Sequence, residues 1–319
     1  MSDSERAAER KKKVCFFIAT SGHGLGGHFH SLKTIVEALS EQIECIVINI
    51  GSSASPIVNS ISAKIYNIPI KNRLRAIREA KNILQAEKIE IINVFDKRIY
   101  IIPRIVSAIL KIPLVMTKCG GPNPQGYYPK VDYLVVFSID DWDYFRQNRK
   151  YADCEIHYIP NRCRRIATNA ERIAGLRGRI LENAPVFLII TRICTRYKET
   201  ITQGIQLINK LNSDGIYCQL VIIGTPDEKN IYDEIIQSNN NNVFVFSERE
   251  FTLNAAEMID ISDFVIGTGR VIMEAASRKR ILLTPISDKN YPLLITSDNY
   301  FEALKTNFEA SAANASTRN

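Results

Sequence analysis

No apolar stretch in this 319-residue chain approaches the roughly 18–20 residues a helix needs to cross a bilayer. Met1–Lys13 is polar and charged, and reads as a tail rather than as a signal peptide or an anchor. The seven cysteines are scattered, and none stands in a CxxC pair. An odd, unpaired set points to reduced thiols in a cytosolic protein and away from a disulfide framework or a zinc site. Low-complexity sequence is confined to Asn239–Asn242, which reads as a turn. Histidine is scarce, and three of the four stand at 23, 28 and 30. With no Asp, Glu or Cys beside them, contact of His23 or His28 with a ligand is expected rather than a metal site, while His30 packs on the following helix.

The net charge is +7, and much of it lies in the N-terminal half, in Lys11–Lys13 and in Lys71, Arg73, Arg75, Arg78, Lys81 and Lys88. Two readings stay open: a solvated helix face, or a surface that meets anionic lipid or an acidic acceptor. Nucleic acid is not expected, because no aromatic residues interleave this basic cluster for stacking.

Short runs rich in Val, Ile and Phe alternate with longer amphipathic stretches. Val14–Ala19, Cys45–Ile50, Ile89–Val94, Leu114–Thr117 and Tyr133–Phe137 predict strands; Ser31–Ser40, Arg73–Glu87 and Tyr100–Leu110 predict helices between them. The pattern stops near Ile159-Pro160-Asn161 and restarts at Val186–Thr191, followed by strands at Cys218–Ile223, Val243–Phe246, Phe264–Ile266 and Ile281–Thr284. This predicts an α/β chain of two Rossmann-like domains, 14–160 and 185–319, after a tail at 1–13 and joined by a linker at 161–184. α/β sheets bind ligands at the carboxyl ends of their strands, so a cleft between the two carboxyl edges is expected.

Ser21–His28 follows the first strand, and Gly22, Gly24 and Gly27 satisfy the G-x-G-x-x-G spacing of a dinucleotide site. Such a site also needs a carboxylate at the end of the second strand, and here that end reads Asn49-Ile50-Gly51. NAD(P) is therefore not expected, and the loop is kept as a surface facing phosphate or substrate.

The second half is richer. Arg192 ends the strand Val186–Thr191, and Lys198 stands near the next helix start. Gly224 follows the strand ending at Ile223. Asp263–Ile266 breaks into Gly267-Thr268-Gly269-Arg270, which opens a helix carrying Glu274. A glycine loop at a helix N-terminus offers backbone donors to a diphosphate, two cations over the same oxygens stabilise a leaving diphosphate, and a carboxylate can accept from a ribose diol. Each has a plainer reading, as surface charge or as compensation of the helix dipole.

In this order the pieces resemble the two-domain GT-B glycosyltransferases, specifically the GT4-like retaining group, over about Val14–Ser311. Thr191-Arg192-Ile193 and Met273-Glu274-Ala275 resemble that group's donor-site motifs. The resemblance implies that Arg192 and Lys198 hold the donor diphosphate and act as the catalytic cations, and that Glu274 binds ribose. It places Gly269, Arg270 and Val271 as the loop facing the diphosphate, Gly24, Gly26 and Gly27 as the loop opposite, and the nucleobase near Phe246–Phe251.

The chain departs from that pattern in three ways. The group's first glutamate, eight residues before Glu274, is Ile266. No histidine follows the fourth strand, where Lys118 and Cys119 stand instead; Asp96 is the nearest acidic candidate for a sugar or acceptor contact, or else a helix N-cap. The final helices that cross back in that group are expected to be short or missing. The implied activity is retaining transfer of a sugar from a nucleotide-diphosphate donor to a saccharide or lipid-linked acceptor, in bacterial surface polysaccharide synthesis. No metal or other cofactor is implied. The location implied is cytoplasmic, with peripheral contact to the inner face of a membrane. A non-catalytic nucleotide-sugar or glycan-binding subunit is the alternative.

Overall fold

A computed structural model describes residues 10–163, 166–237 and 241–308. The described residues divide into two compact units, one running to Pro160 and the other beginning at Asn161, except that Gly120–Pro122 and Ser138–Asp141 group with the second.

The first unit is a seven-stranded parallel sheet of β1 (Lys13–Thr20), β2 (Glu44–Gly51), β3 (Lys64–Pro69), β4 (Ile91–Val94), β5 (Leu114–Lys118), β6 (Tyr133–Val136) and β7 (Glu155–Tyr158), in the order 3-2-1-4-5-6-7. Its helices are α1 (Gly27–Leu39), the short α2 (Pro56–Asn59), α3 (Arg73–Glu87), α4 (Ile101–Leu110) and α5 (Ile139–Gln147). Strand alternation explains the near-continuous apolar run of β1. Cys15, Phe17 and Ala19 enter the core beneath α3, α4 and α5, while Val14, Phe16 and Ile18 enter the one beneath α1 and α2. Each large side chain removed from water there contributes about 1.5–3 kcal/mol.

The second unit repeats the plan with β8 (Val186–Ile190), β9 (Gln219–Ile223), β10 (Val243–Phe246), β11 (Phe264–Ile266), β12 (Ile281–Thr284) and an antiparallel edge, β13 (Leu293–Leu294), in the order 10-9-8-11-12-13. Its helices are α6 (Ala170–Arg177), α7 (Lys198–Ser213), α8 (Lys229–Gln237), α9 (Arg249–Thr252), α10 (Arg270–Ser277) and α11 (Tyr300–Lys305). Within 161–184, expected as the connection, Asn169 caps α6 by accepting from Arg172 N, and Ile173 and Leu176 enter the second core.

The sequence reading missed β3, β7 and β13, all next to or at sheet edges and less continuously apolar than the central strands. It also missed α5. Between β10 and β11 the chain forms the short α9 followed by a 3₁₀ stretch, Ala255–Ile261. Most of the N-terminal tail, Asn239 and Asn240 of the expected turn, and Glu309–Asn319 lie outside the described residues.

Candidate active site

In each sheet the order reverses at its centre, between β1 and β4 and between β8 and β11. Connections leaving two adjacent strands in opposite directions open a crevice at their carboxyl ends. In the second unit, Thr191-Arg192 and Gly267-Thr268-Gly269 stand at that point. A Cβ on Gly267 would come 2.4 Å from Val271 Cγ1, so only glycine lets the loop pass over α10. Gly269, with φ 57° and ψ −124°, is in a conformation essentially reserved for glycine. No side chain caps α10 at Gly269, and the positive end of the helix dipole lies at this loop. Gly224 is needed for another close approach: a Cβ there would meet Thr191 O at 2.2 Å. Gly51 bears the same relation to Thr20 O at the end of β1, at 2.0 Å.

The loop after β8 is zipped to the loop after β9. Ile193 N donates to Thr225 O at 2.8 Å, Asp227 N donates back to Ile193 O at 3.1 Å, and Thr195 Oγ1 donates to Glu228 at 2.6 Å. This brings Asp227 within 3.2 Å of Arg192, whose guanidinium also lies 5.5 Å from the centroid of the Tyr197 ring. Lys198 opens α7 and pairs with Glu234 of α8 at 2.7 Å. The two expected diphosphate cations thus hold separate carboxylates. Both pairs are partly solvated, where an ion pair contributes at most about 1 kcal/mol.

Glu274 is only 7% exposed, and its Oε1 accepts from Arg270 Nε at 2.6 Å. Burial pushes its carboxyl pKa above the usual range, and Arg270 opposes the shift without cancelling it. Arg270 also donates to Arg162 O at 3.0 Å, and Cys163 Sγ donates to Met273 O at 3.4 Å. Glu274 therefore orients Arg270 beside the glycine loop and ties α10 to the segment after Pro160. This internal role is the one its geometry displays, whereas the sequence reading gave it ribose. The Arg270–Glu274 spacing of four was a legible signal for the pair.

Phe246 and Phe251 meet edge to face at 5.4 Å inside the core, with the Arg179 guanidinium 4.8 Å from the Phe246 centroid and bonded to Glu248 at 2.6 Å. Their buried rings offer no face for a base to stack on.

In the first unit, Gly22 and Gly24 have φ of 68° and 66°. Ser53 Oγ and Ser55 Oγ donate to their carbonyls at 2.9 and 2.6 Å, bolting the loop to the chain after β2. A Cβ on Gly24 would lie 2.8 Å from Ser55, whereas one on Gly27 would meet nothing within 4 Å. Gly26 precedes α1 beneath the His28 ring, which packs on Phe29 with centroids 4.0 Å apart; His23 is exposed. Asn49, standing where a dinucleotide site carries its acid, is buried and structural. It accepts from Thr20 Oγ1 at 2.6 Å and donates to Asn67 Oδ1 at 2.9 Å.

Asp96 caps a 3₁₀ turn at Lys97–Ile99, ahead of α4, by accepting from Arg98 N at 2.9 Å. It also grips the Arg98 guanidinium, which reaches Ser21 Oγ at 2.8 Å, so the capping reading is realised and the loops after β1 and β4 are cross-linked. Lys118 is buried at the end of β5. Burial, reinforced by Asp96, pushes the Cys119 thiol far above its usual pKa, which favours the neutral thiol. Among the described residues no three His, Cys, Asp or Glu side chains gather as a metal site would require.

Two α/β units of this topology make up the GT-B architecture. The chain is similar in structure to a glycosyltransferase from Rickettsia africae, with a TM-score of 0.64 and 14% identity over 86% of this chain and 79% of that one. It is similar to HepE from Anabaena in complex with UDP-glucose, with a TM-score of 0.65 and 15% identity over 86% and 80% of the two chains. A UDP-GlcNAc 2-epimerase from Neisseria meningitidis bound to UDP-GlcNAc aligns with a TM-score of 0.59 and 12% identity over 87% and 84%. No protein-family model matches the chain, and comparison with curated proteins finds no match.

Proposed function

We propose that the second unit binds a nucleotide-diphosphate sugar and that the chain transfers the sugar, with retention, to a saccharide or lipid-linked acceptor. The observation that carries this reading is the Gly267–Gly269 turn opening α10 beside Arg192 at the switch point of the sheet. Backbone donors and a helix N-terminus stand at this turn, and Arg192 follows the neighbouring strand β8; these are the kinds of group a diphosphate needs. Structures of the same fold are held with UDP, UDP-glucose and UDP-GlcNAc, so UDP is the first nucleotide to test.

In this reading the bond between the anomeric carbon and the diphosphate oxygen breaks while the acceptor oxygen adds to the same face. The acceptor's proton passes to the departing diphosphate. Arg192 and Lys198 exchange Asp227 and Glu234 for phosphate oxygens and stabilise the charge that develops on them. These cations are the protein's own, so the reading calls for no metal. A GT4-like assignment, a cytoplasmic location with peripheral membrane contact, and a role in surface polysaccharide synthesis belong to the same proposal.

Calorimetric titration with UDP, GDP and ADP, followed by detection of nucleotide release from the matching sugar donors with and without saccharide acceptors, tests it. Release that depends on acceptor, with the product's anomeric configuration kept, is the expected result. A second reading, a non-catalytic nucleotide-sugar-binding subunit, draws on Ile266 in place of an acid and on the internal engagement of Glu274. Tight nucleotide binding without any turnover would favour it. Conversion of UDP-GlcNAc to an epimer without transfer would overturn the transfer reading.

A further inference from the structure

Helices α3 and α4 lie side by side over one face of the first sheet, and both bury their inner sides in the same core. Their outer sides are unusual for a helix layer facing water. Leu74 is 79% exposed, Ile101 52% and Ile109 55%, and Ile105 joins them. The three isoleucines stand at i, i+4 and i+8, one apolar stripe along α4. The same pair of neighbouring helices carries exposed cations. Arg73, Arg75 and Arg78 on α3, with Arg104 and Lys111 on or beside α4, are exposed. Among the described residues none of the five makes an ion pair. The two acids of α3 do not offset them: Glu87 is taken by Lys64 and Tyr66, and Glu79 is half buried.

We infer that this outer side of α3 and α4 docks on a bilayer surface bearing anionic phospholipid. The inference deepens the proposed reading by saying where its membrane contact lies, and it rests on that reading only for the reason a membrane is met. Aliphatic side chains enter the boundary between headgroups and acyl chains while flanking Arg and Lys meet the lipid phosphates. An acidic protein or a nucleic acid would answer the charge and leave the isoleucine stripe without a partner. Nucleic acid would also lack aromatic platforms here.

The test is co-sedimentation of the full chain with phosphatidylcholine vesicles, with and without about 30% phosphatidylglycerol, at about 50 and 500 mM salt. Binding to the anionic vesicles alone, weakened at high salt, is expected. Each surface cation near such a membrane is worth about fivefold in partitioning, so R75Q/R78Q/R104Q should lose on the order of a hundredfold. I101S/I109S should also weaken binding while keeping its salt dependence. All five positions are exposed, and unchanged melting curves will show that the variants fold.

Absence of binding to anionic vesicles at low salt overturns the inference, as does equal binding by parent and variants. UDP titrated into the same samples reports the donor site separately. Loss of UDP binding there would count against the donor reading and leave the vesicle result to decide the docking face.

Discussion

Replacing the loop glycines one at a time separates the backbone of the candidate donor site from its charges. In Gly269→Ala the new Cβ must occupy a φ of 57° with ψ of −124°, and a residue held in so sparse a region costs about 1–3 kcal/mol. In Gly267→Ala the conflict is steric: the Cβ lands 2.4 Å from Val271 Cγ1, against ordinary contact at 3.4 Å or more, so something must move by about 1 Å. Val271 is β-branched and sits in the first turn of α10, where its rotamer has little freedom. Overpacking of this kind costs about 1–3 kcal/mol. For a unit of this size about 2 kcal/mol lowers the melting temperature by roughly 4–8 °C. Either substitution should also weaken UDP by tenfold or more, because the N–H groups aimed at the diphosphate are displaced. Far-UV circular dichroism and calorimetric UDP titration measure both effects. The chain's single tryptophan, Trp142, lies in the first unit and serves as an internal control on where unfolding begins. A Gly269→Ala protein that melts within 1 °C of the parent and binds UDP as tightly would refute the reasoning, since the loop would then impose neither strain nor anion geometry.

Gly27→Ala is the counterpart: open space around Gly27 and its place at the start of α1 predict unchanged or slightly raised stability and unchanged UDP affinity, read by the same two methods. Arg192→Ala should weaken UDP by about 10–100-fold, the equivalent of one charge-assisted interaction, with little change in melting; equal affinity would remove Arg192 from the site. Asn49→Asp tests whether the missing acid is all that separates the first unit from a dinucleotide site. The new side chain cannot donate to Asn67 and is buried, so a loss of about 2 kcal/mol or more in urea denaturation and no NADH binding by fluorescence are expected. Glu274 predicts a pH signature. Its carboxyl holds its proton more tightly folded than unfolded, so its share of stability is full below the ordinary value of 4.5 and lost as pH rises through the raised folded value. The stability of Glu274→Gln minus that of the parent should therefore grow as pH climbs through that window; a constant or shrinking difference in denaturation curves counts against it.

Much of the architecture was legible because burial on both faces of a parallel sheet leaves apolar runs that no other element imitates. The central strands β1, β2, β8, β9 and β11 fall where those runs stand, and the bounds of α3 match its amphipathic period. Edge strands such as β3 and β7 were missed because one side of each has no neighbouring strand and its composition relaxes accordingly. For the site, glycine was the readable residue. The demands on Gly267, Gly269 and Gly224 are local consequences of a strand ending against a helix or another strand.

The sequence by itself therefore determined two α/β units, their glycine turns, and the absence of an acid after β2, because periodicity and backbone freedom act over a few residues. Only the tertiary structure decided what the charged groups hold. Arg192 meets Asp227 from 35 residues away and Lys198 meets Glu234 from 36, across loops whose pairing depends on the sheet order. Asp96 is spent on Arg98 and Ser21, and Asn49 on Thr20 and Asn67. Charges act through space at a few ångströms, and it is the packing of strands distant in sequence that sets which of them come so close.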